Sequence, residues 1–151
     1  MNAELKKFNY LVSETDSVYH DIARHMGISD STMNVLYSLH ELGDGAYQRD
    51  IYKLYGSSRQ TVNSSIRKMV KDGLIYLKDG EGRHVRVFLT DEGKSLQEQT
   101  VLPLINAENE IFESWTAEER SALIRLTKKY LDDIKSKIPD IIYNNNKEDN
   151  Y

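Results

Sequence analysis

Between Ser57 and Lys68 the chain carries a run of side chains that can hydrogen-bond to nucleic-acid bases and phosphates. An arginine can fork onto guanine, an asparagine or glutamine onto adenine, and a threonine methyl group can contact the methyl group of thymine. Hydroxyl groups and the free amides of a helix N-terminus suit phosphate oxygens. The residues predicted to make such contacts are Ser57, Ser58, Arg59, Gln60, Thr61, Asn63, Ser64, Arg67 and Lys68.

A second basic group surrounds the turn sequence Asp79-Gly80-Glu81-Gly82 and consists of Lys78, Arg83, His84 and Arg86. An arginine on a glycine-flanked tip can enter a narrow minor groove, where the potential is most negative. We therefore predict Arg83 and Arg86 as further DNA contacts. The alternative is that these charges only keep a sheet edge soluble, and the acidic residues on the same tip favour it.

The elements that position these groups follow from apolar spacing. Val62, Ile66, Met69 and Val70 recur at helical intervals, which predicts a helix from Arg59 to Asp72 with the polar groups on its opposite face. A short helix over Tyr47–Leu54 and a turn at Gly56 precede it, and Gly73 ends it. Paired strands over Leu74–Leu77 and Val85–Leu89 follow.

This order is that of a winged helix-turn-helix. A polar face on a single helix is equally explained by solvation alone. The flanking helix, turn and hairpin favour the DNA-binding interpretation.

Further helices are predicted on both sides of this lobe. They cover Leu5–His25, the segment from a cap at Ser29 or Asp30 to Leu42, and Asp91–Glu113 with a kink or a local irregularity at Pro103. Thr116 and Glu119 form a capping box that starts a last helix, which Pro139 closes. The predicted fold is mainly α with a small β-hairpin wing. Its segments are an N-terminal dimerisation helix (1–28), a winged helix-turn-helix lobe (29–90), C-terminal dimerisation helices (91–142) and a disordered polar tail (143–151).

Charge is concentrated in the lobe. From Lys53 to Arg86 there are eight basic and three acidic residues, a net charge of +5, whereas the whole chain carries −4. The remainder therefore carries −9. A local positive field, not the total charge, attracts phosphates, so the lobe has the field that a DNA-binding module needs.

Composition excludes several classes of protein. The chain has no cysteine, which excludes disulfides and thiolate chemistry. Its apolar runs are far too short for a membrane span, and we expect a cytoplasmic protein. Neither a nucleophile elbow nor a phosphate-binding glycine loop is present, so we predict no enzyme and no cofactor. His20, His25 and His40 lie among carboxylates without the spacing of a helical metal site, and we interpret them as ordinary polar residues.

The segments YGSSRQTVNSSIRKMVKDGLI and EGRHVRVFLTDEGKSL resemble the MarR family of bacterial transcription regulators. The resemblance extends from the second helix through TAEERSALIRLTKKY, and the step Leu89-Thr90-x-x-Gly93 is fairly specific to that family. The wing of the family commonly has an Asp-x-Arg signature, in whose place this chain has Glu81-Gly82-Arg83. The resemblance thus assigns the wing arginine role to Arg83.

The resemblance further implies a homodimer with interlocking terminal helices, bound to a pseudo-palindromic operator of double-stranded DNA. Many members of the family release DNA when a small ligand binds. Without cysteine, the chain cannot use the peroxide-sensing thiol of some members. The alternative from another class is a winged helix that only docks onto proteins, which would not require the base-reading residues.

Two groups of apolar residues have open interpretations. The terminal helices carry more apolar side chains than one small domain can cover, which predicts a dimer surface, although each side chain is equally explained as intramolecular core. The candidates are Leu5, Phe8, Leu11, Ile111, Trp115, Leu131, Ile134, Ile138, Ile141 and Ile142. Four tyrosines, which are otherwise core residues, are candidates for a pocket that binds an aromatic small-molecule effector: Tyr19, Tyr37, Tyr47 and Tyr52.

Overall fold

A computed structural model describes residues 1–54, 59–82 and 84–137 of the chain. The elements in order are α1 (Ala3–His25), α2 (Asp30–Leu42), β1 (Ala46–Tyr47), α3 (Gln48–Leu54), α4 (Arg59–Lys71), β2 (Ile75–Asp79), β3 (Val85–Leu89), α5 (Asp91–Gln99), α6 (Val101–Ser114) and α7 (Ala117–Lys137). The chain divides into two compact units, of which the second begins at Asn106. The mainly α fold with a small β wing is confirmed.

The core of the first unit lies between α2, α4 and one face of the sheet. Leu36, Ile66, Met69 and Val87 are among its fully buried side chains, and Ala23 of α1 joins the same cluster. Each of these helices buries one stripe and leaves the other face to solvent, as the apolar spacing predicts. The unit thereby fixes α4 and the wing on a common core.

The wing is a three-stranded antiparallel sheet in the order β1-β3-β2. Tyr47, which we predicted in a helix, lies in β1 opposite Arg86, so the prediction of only two strands was wrong at this point. Strand β1 has two residues, too few for any alternation in the sequence to reveal. It forms because β3 lies beside it, and the amide of Gly45 donates to the carbonyl of Val87 at 2.9 Å.

Helix α4 ends at the glycine where the sequence predicts its end. Gly73 has φ +73°, a left-handed conformation that glycine adopts without a steric penalty. The amide of Leu74 donates to Met69 and that of Gly73 to Val70, which is the Schellman pattern that closes a helix. The chain therefore reverses directly from α4 into β2.

The step Leu89-Thr90-x-x-Gly93 is a tight joint between the wing and α5. The Thr90 hydroxyl accepts from the amide of Gly93 at 3.0 Å and donates to the carbonyl of Gly73 at 2.6 Å. A Cβ atom on Gly93 would lie 1.9 Å from the carbonyl oxygen of Leu74, a separation that no side chain permits. Residue 93 must therefore be glycine, because the backbone at residue 74 comes too close for a side chain.

The long helix that we predicted from Asp91 to Glu113 is in fact two helices. Helix α5 ends at Gln99, Thr100 is non-helical, and α6 begins at Val101. A proline ring clashes with the carbonyl four residues before it, which for Pro103 is that of Gln99. Pro103 is instead accommodated in the first turn of α6, where no amide proton is needed. Proline thus produces a break before it and not a kink at its own position.

The second unit contains the end of α6 and all of α7. The predicted capping box is confirmed, since Thr116 and Glu119 exchange hydrogen bonds of 2.8 and 3.2 Å between side chain and backbone. No side chain of α7 is fully buried within the chain. The predicted polar tail and the helix stop at Pro139 lie outside the described residues. Within the described ranges, no helix is long and apolar enough to cross a membrane.

Candidate nucleic-acid interface

Helix α4 buries Val62, Ile66 and Met69 as predicted, but Val70 is 40% exposed and Ser65 is buried instead. The predicted stripe was therefore wrong at Val70. Successive residues of an α-helix turn by about 100°, so Val70 lies to one side of the line through the other three positions. The buried stripe of α4 is thus shifted toward Ser65 and away from Val70.

The exposed face of α4 carries the polar residues that are half a turn away from this buried line. Gln60, Ser64 and Arg67 follow one another at helical spacing and are all exposed. Among the described residues, no hydrogen bond or ion pair engages these three side chains. They are thus available to an external partner, in the arrangement that base reading requires.

The flanks of this face are also polar and basic. Arg59, Thr61, Lys68 and Lys71 are exposed, and Lys68 pairs with Asp72 at 2.5 Å. An exposed pair of this kind contributes little to stability, so Lys68 can exchange its partner for a phosphate at small cost. Ser57 and Ser58 lie outside the described residues, and their predicted phosphate contacts stay a prediction.

Asn63 differs from its neighbours because α3 engages its side chain. The amide oxygen Oδ1 accepts from Gln48 Nε2 at 2.6 Å and from the Tyr52 hydroxyl at 2.5 Å. All three side chains are half-buried. Partial burial raises the pKa of the Tyr52 phenol above its ordinary value, while its hydrogen bond with Gln48 and the charge of Arg59 act in the opposite direction. Tyr52 therefore stays a hydrogen-bond donor at neutral pH.

In the wing, Lys78 and Arg86 lie within the strands and not at the tip, opposite each other in register. Arg86 is half-buried, its Nε donates to the carbonyl of Gly45 at 2.6 Å, and its guanidinium lies 5.2 Å from the centre of the Phe88 ring. These contacts tie Arg86 to the sheet. Arg83, to which the wing arginine role was assigned, lies outside the described residues.

A cluster around Tyr47 connects the wing to α3, and sequence reasoning missed it. The Arg49 guanidinium lies 4.9 Å from the centre of the Tyr47 ring, and its Nη1 donates to Nε2 of His84 at 2.9 Å. The Tyr47 and His84 rings meet edge to face. Arg49 and His84 are 35 residues apart, so no local pattern could pair them. The cluster holds the base of the tip against the start of α3.

The four tyrosines of the predicted ligand pocket have different surroundings. Tyr19, Tyr37 and Tyr52 pack against the core, which agrees with their interpretation as core residues. Tyr47 packs on the sheet. A surface cavity of about 230 Å³ beside Tyr47 is lined mostly by polar groups, including Asp44, Asp50 and Arg86. It is smaller and more polar than sites for drug-sized ligands. The aromatic pocket stays a prediction.

The histidines considered as metal ligands are separated. His20 of α1 pairs with Asp30 at the start of α2, with Nδ1 and Oδ2 at 2.9 Å, and both side chains are more than half exposed. In the part of the chain that the structure describes, no three potential ligands of the His or carboxylate type come together. The pair instead connects α1 with α2.

Residues 26–84, from the end of α1 to the wing, match the model of the MarR family. The winged-helix segment of this chain is therefore similar to the MarR family. Among curated proteins no sequence match was found.

Solved MarR structures share the fold along most of the chain. The MarR regulator NMB1585 from Neisseria meningitidis superposes with a TM-score of 0.73 at 20% identity and covers 91% of this chain and 96% of its own. Staphylococcus aureus MepR, solved with DNA, gives 0.68 at 21%, with coverages of 89% and 99%. PcaV from Streptomyces coelicolor, solved with its natural ligand, gives 0.62 at 19%, with coverages of 82% and 91%. At these identities the likeness establishes the MarR fold.

Proposed function

We propose that this MarR-family chain is a homodimeric transcription regulator that binds a pseudo-palindromic DNA operator and acts as a repressor. The observation that carries the proposal is the exposed face of α4, on which Gln60, Ser64 and Arg67 have no partner among the described residues. Helix α4 would lie in the major groove with Thr61 and Lys68 at its flanks. Arg83 would enter the adjacent minor groove.

The fold supports this placement. The tight reversal at Gly73 and the joint at Gly93 attach the wing to the end of the recognition helix, so both contact DNA from one rigid lobe. MepR, which shares the fold, has been solved with DNA bound. We expect a repressor role because a dimer bound to its operator would exclude other proteins from that stretch of DNA.

Dimerisation is supported by apolar exposure. All seven dimer candidates within the described residues are at least 37% exposed, and Leu11 and Ile111 exceed 50%. This exposure favours a subunit interface over intramolecular core for these side chains. Two recognition helices about one DNA turn apart would then read two half-sites.

Ligand-induced release is the second part of the proposal. A small molecule bound to a lobe would favour a spacing of the two recognition helices that no longer fits B-DNA. PcaV was solved with its natural ligand. The aromatic residues Tyr19, Tyr37, Tyr47 and Tyr52 remain the candidates in this chain.

Selection of bound sequences from random duplex DNA tests the proposal most directly. We expect an inverted repeat whose half-sites are roughly 10 base pairs apart centre to centre. Affinity for that site should fall linearly with salt on a double-logarithmic plot, with a slope of about −0.9 per neutralised phosphate. A chain that enriches no sequence and shows no salt slope would be a protein-docking module instead.

A further inference from the structure

The hydrogen bonds of Asn63 restrict what this residue can do in the recognition helix. An amide oxygen has two lone pairs, and Oδ1 of Asn63 already accepts two short bonds, from Gln48 and Tyr52. Gln48 and Tyr52 lie four residues apart on one face of α3. Both lone pairs of this oxygen are therefore engaged inside the protein.

Reading adenine requires both ends of the amide. The oxygen accepts from the adenine N6 amino group while the nitrogen donates to N7. To present its oxygen to a base, Asn63 would have to give up its hydrogen bonds from Gln48 and Tyr52, both of which are half-buried.

The position of Asn63 on the helix agrees with this restriction. Asn63 follows the buried Val62 and precedes the exposed Ser64, so it lies on the flank of α4 next to α3. Gln60, Ser64 and Arg67 lie on the outward face. The base-reading set and the set bonded to α3 are thus different residues of one helix.

We propose that Asn63 is a positioning residue that locks α4 to α3 through Gln48 and Tyr52, while Gln60, Ser64 and Arg67 read the bases. The proposal rests on the proposed DNA-binding function. It corrects the sequence-based expectation that Asn63 reads adenine, and it makes Tyr52 a structural partner of the recognition helix.

The binding test compares base preferences of the full-length variants Asn63→Ala, Tyr52→Phe and Gln60→Ala with those of the wild type. Tyr52→Phe, which removes one hydrogen bond, should weaken binding about two- to tenfold, and Asn63→Ala, which removes two, should weaken it by at least as much. Both losses should be equal at every operator position. Gln60→Ala should lose preference at one position in each half-site. Loss of an adenine preference at a single position in Asn63→Ala alone would overturn the proposal.

A folding test examines the lock without DNA. Tyr52→Phe and Asn63→Ala should each lower the urea midpoint, and the double variant should unfold no earlier than Asn63→Ala alone, because both remove the same bond. Tyr10→Phe, which removes a hydroxyl from an exposed tyrosine, is the matched control and should leave the midpoint unchanged. Additive shifts would overturn the lock. A wild type that binds no duplex, together with coupled shifts, would overturn the proposed function and the base-reading assignment but not the lock.

Discussion

Arg67 and Arg86 carry the same guanidinium group in different surroundings. Arg67 is exposed on the outward face of α4, whereas Arg86 is half-buried and bonded to the carbonyl of Gly45. Sequence reasoning predicted both as DNA contacts. Arg67 is thus exposed to any external partner, whereas Arg86 is bonded within the sheet.

Replacement of Arg67 by alanine should relax base preference at one position of each half-site and weaken specific binding by roughly 1–3 kcal/mol. The reason is that a bidentate arginine discriminates against the wrong base. The measurement is titration of the selected operator and of single-base variants. Arg24→Ala, at an exposed cation of α1, is the charge-matched control. Equal losses in both variants would mean that Arg67 contributes only charge.

Replacement of Arg86 by alanine should lower the free energy of unfolding by about 1–3 kcal/mol, because a charged hydrogen bond and the packing on Phe88 are lost. Urea unfolding measures this change. Lys78→Ala, at the exposed residue across the strand pair, should lower it by less than about 1 kcal/mol. If Arg86→Ala keeps full stability and loses DNA affinity, Arg86 is the DNA contact that the sequence predicted.

At the scale of elements, two short backbone features determine where the wing lies. The Schellman reversal at Gly73 and the contact of Gly93 with the carbonyl of Leu74 attach β2 and α5 to the end of α4. The break at Thr100 then separates α5 from α6. The direction of the wing is thus set by backbone geometry, and the proposed DNA binding would depend on it.

The replacement Gly93→Ala should destabilise the protein by at least about 1–3 kcal/mol, because the new methyl group overlaps the Leu74 carbonyl and the joint must open. Thermal or urea unfolding checks this expectation. Ser95→Ala, on the exposed side of the same helix, should stay within about 0.5 kcal/mol of the wild type. A Gly93→Ala protein of unchanged stability would show that the joint is not tight in solution.

At the scale of the whole molecule, packing within one chain does not cover the exposed apolar side chains of α1, α6 and α7. The whole chain has a net charge of −4, while the lobe is positively charged. A homodimer would cover the apolar surface and leave both basic lobes accessible. A variant that weakens the proposed homodimer should therefore also weaken operator binding.

Replacement of Leu11 by glutamate should weaken the homodimer by about 2 kcal/mol or more, because a charge would be buried at the interface. Sedimentation equilibrium measures the dissociation constant, and operator affinity should fall with it. Ser13→Glu adds the same charge on the opposite face of α1 and should leave the dimer intact. A wild type that is monomeric at micromolar concentration would refute the dimer.

The sequence by itself determined the helices apart from the break at Thr100, two of the three strands, the capping box at Thr116, and the net positive charge of the lobe. These features depend on residues that are close in the chain, so apolar spacing and capping residues predict them directly. The MarR resemblance rested on the same local segments.

Only the tertiary structure decided which polar side chains are available to a partner. Gln48 and Asn63 are 15 residues apart, and Gly45 and Arg86 are 41 apart, so each bond depends on packing and not on local spacing. The strand β1 has the same origin, since a two-residue segment pairs only when a neighbour is in place. A buried donor or acceptor must find a partner, and the fold alone determines which partner is within reach.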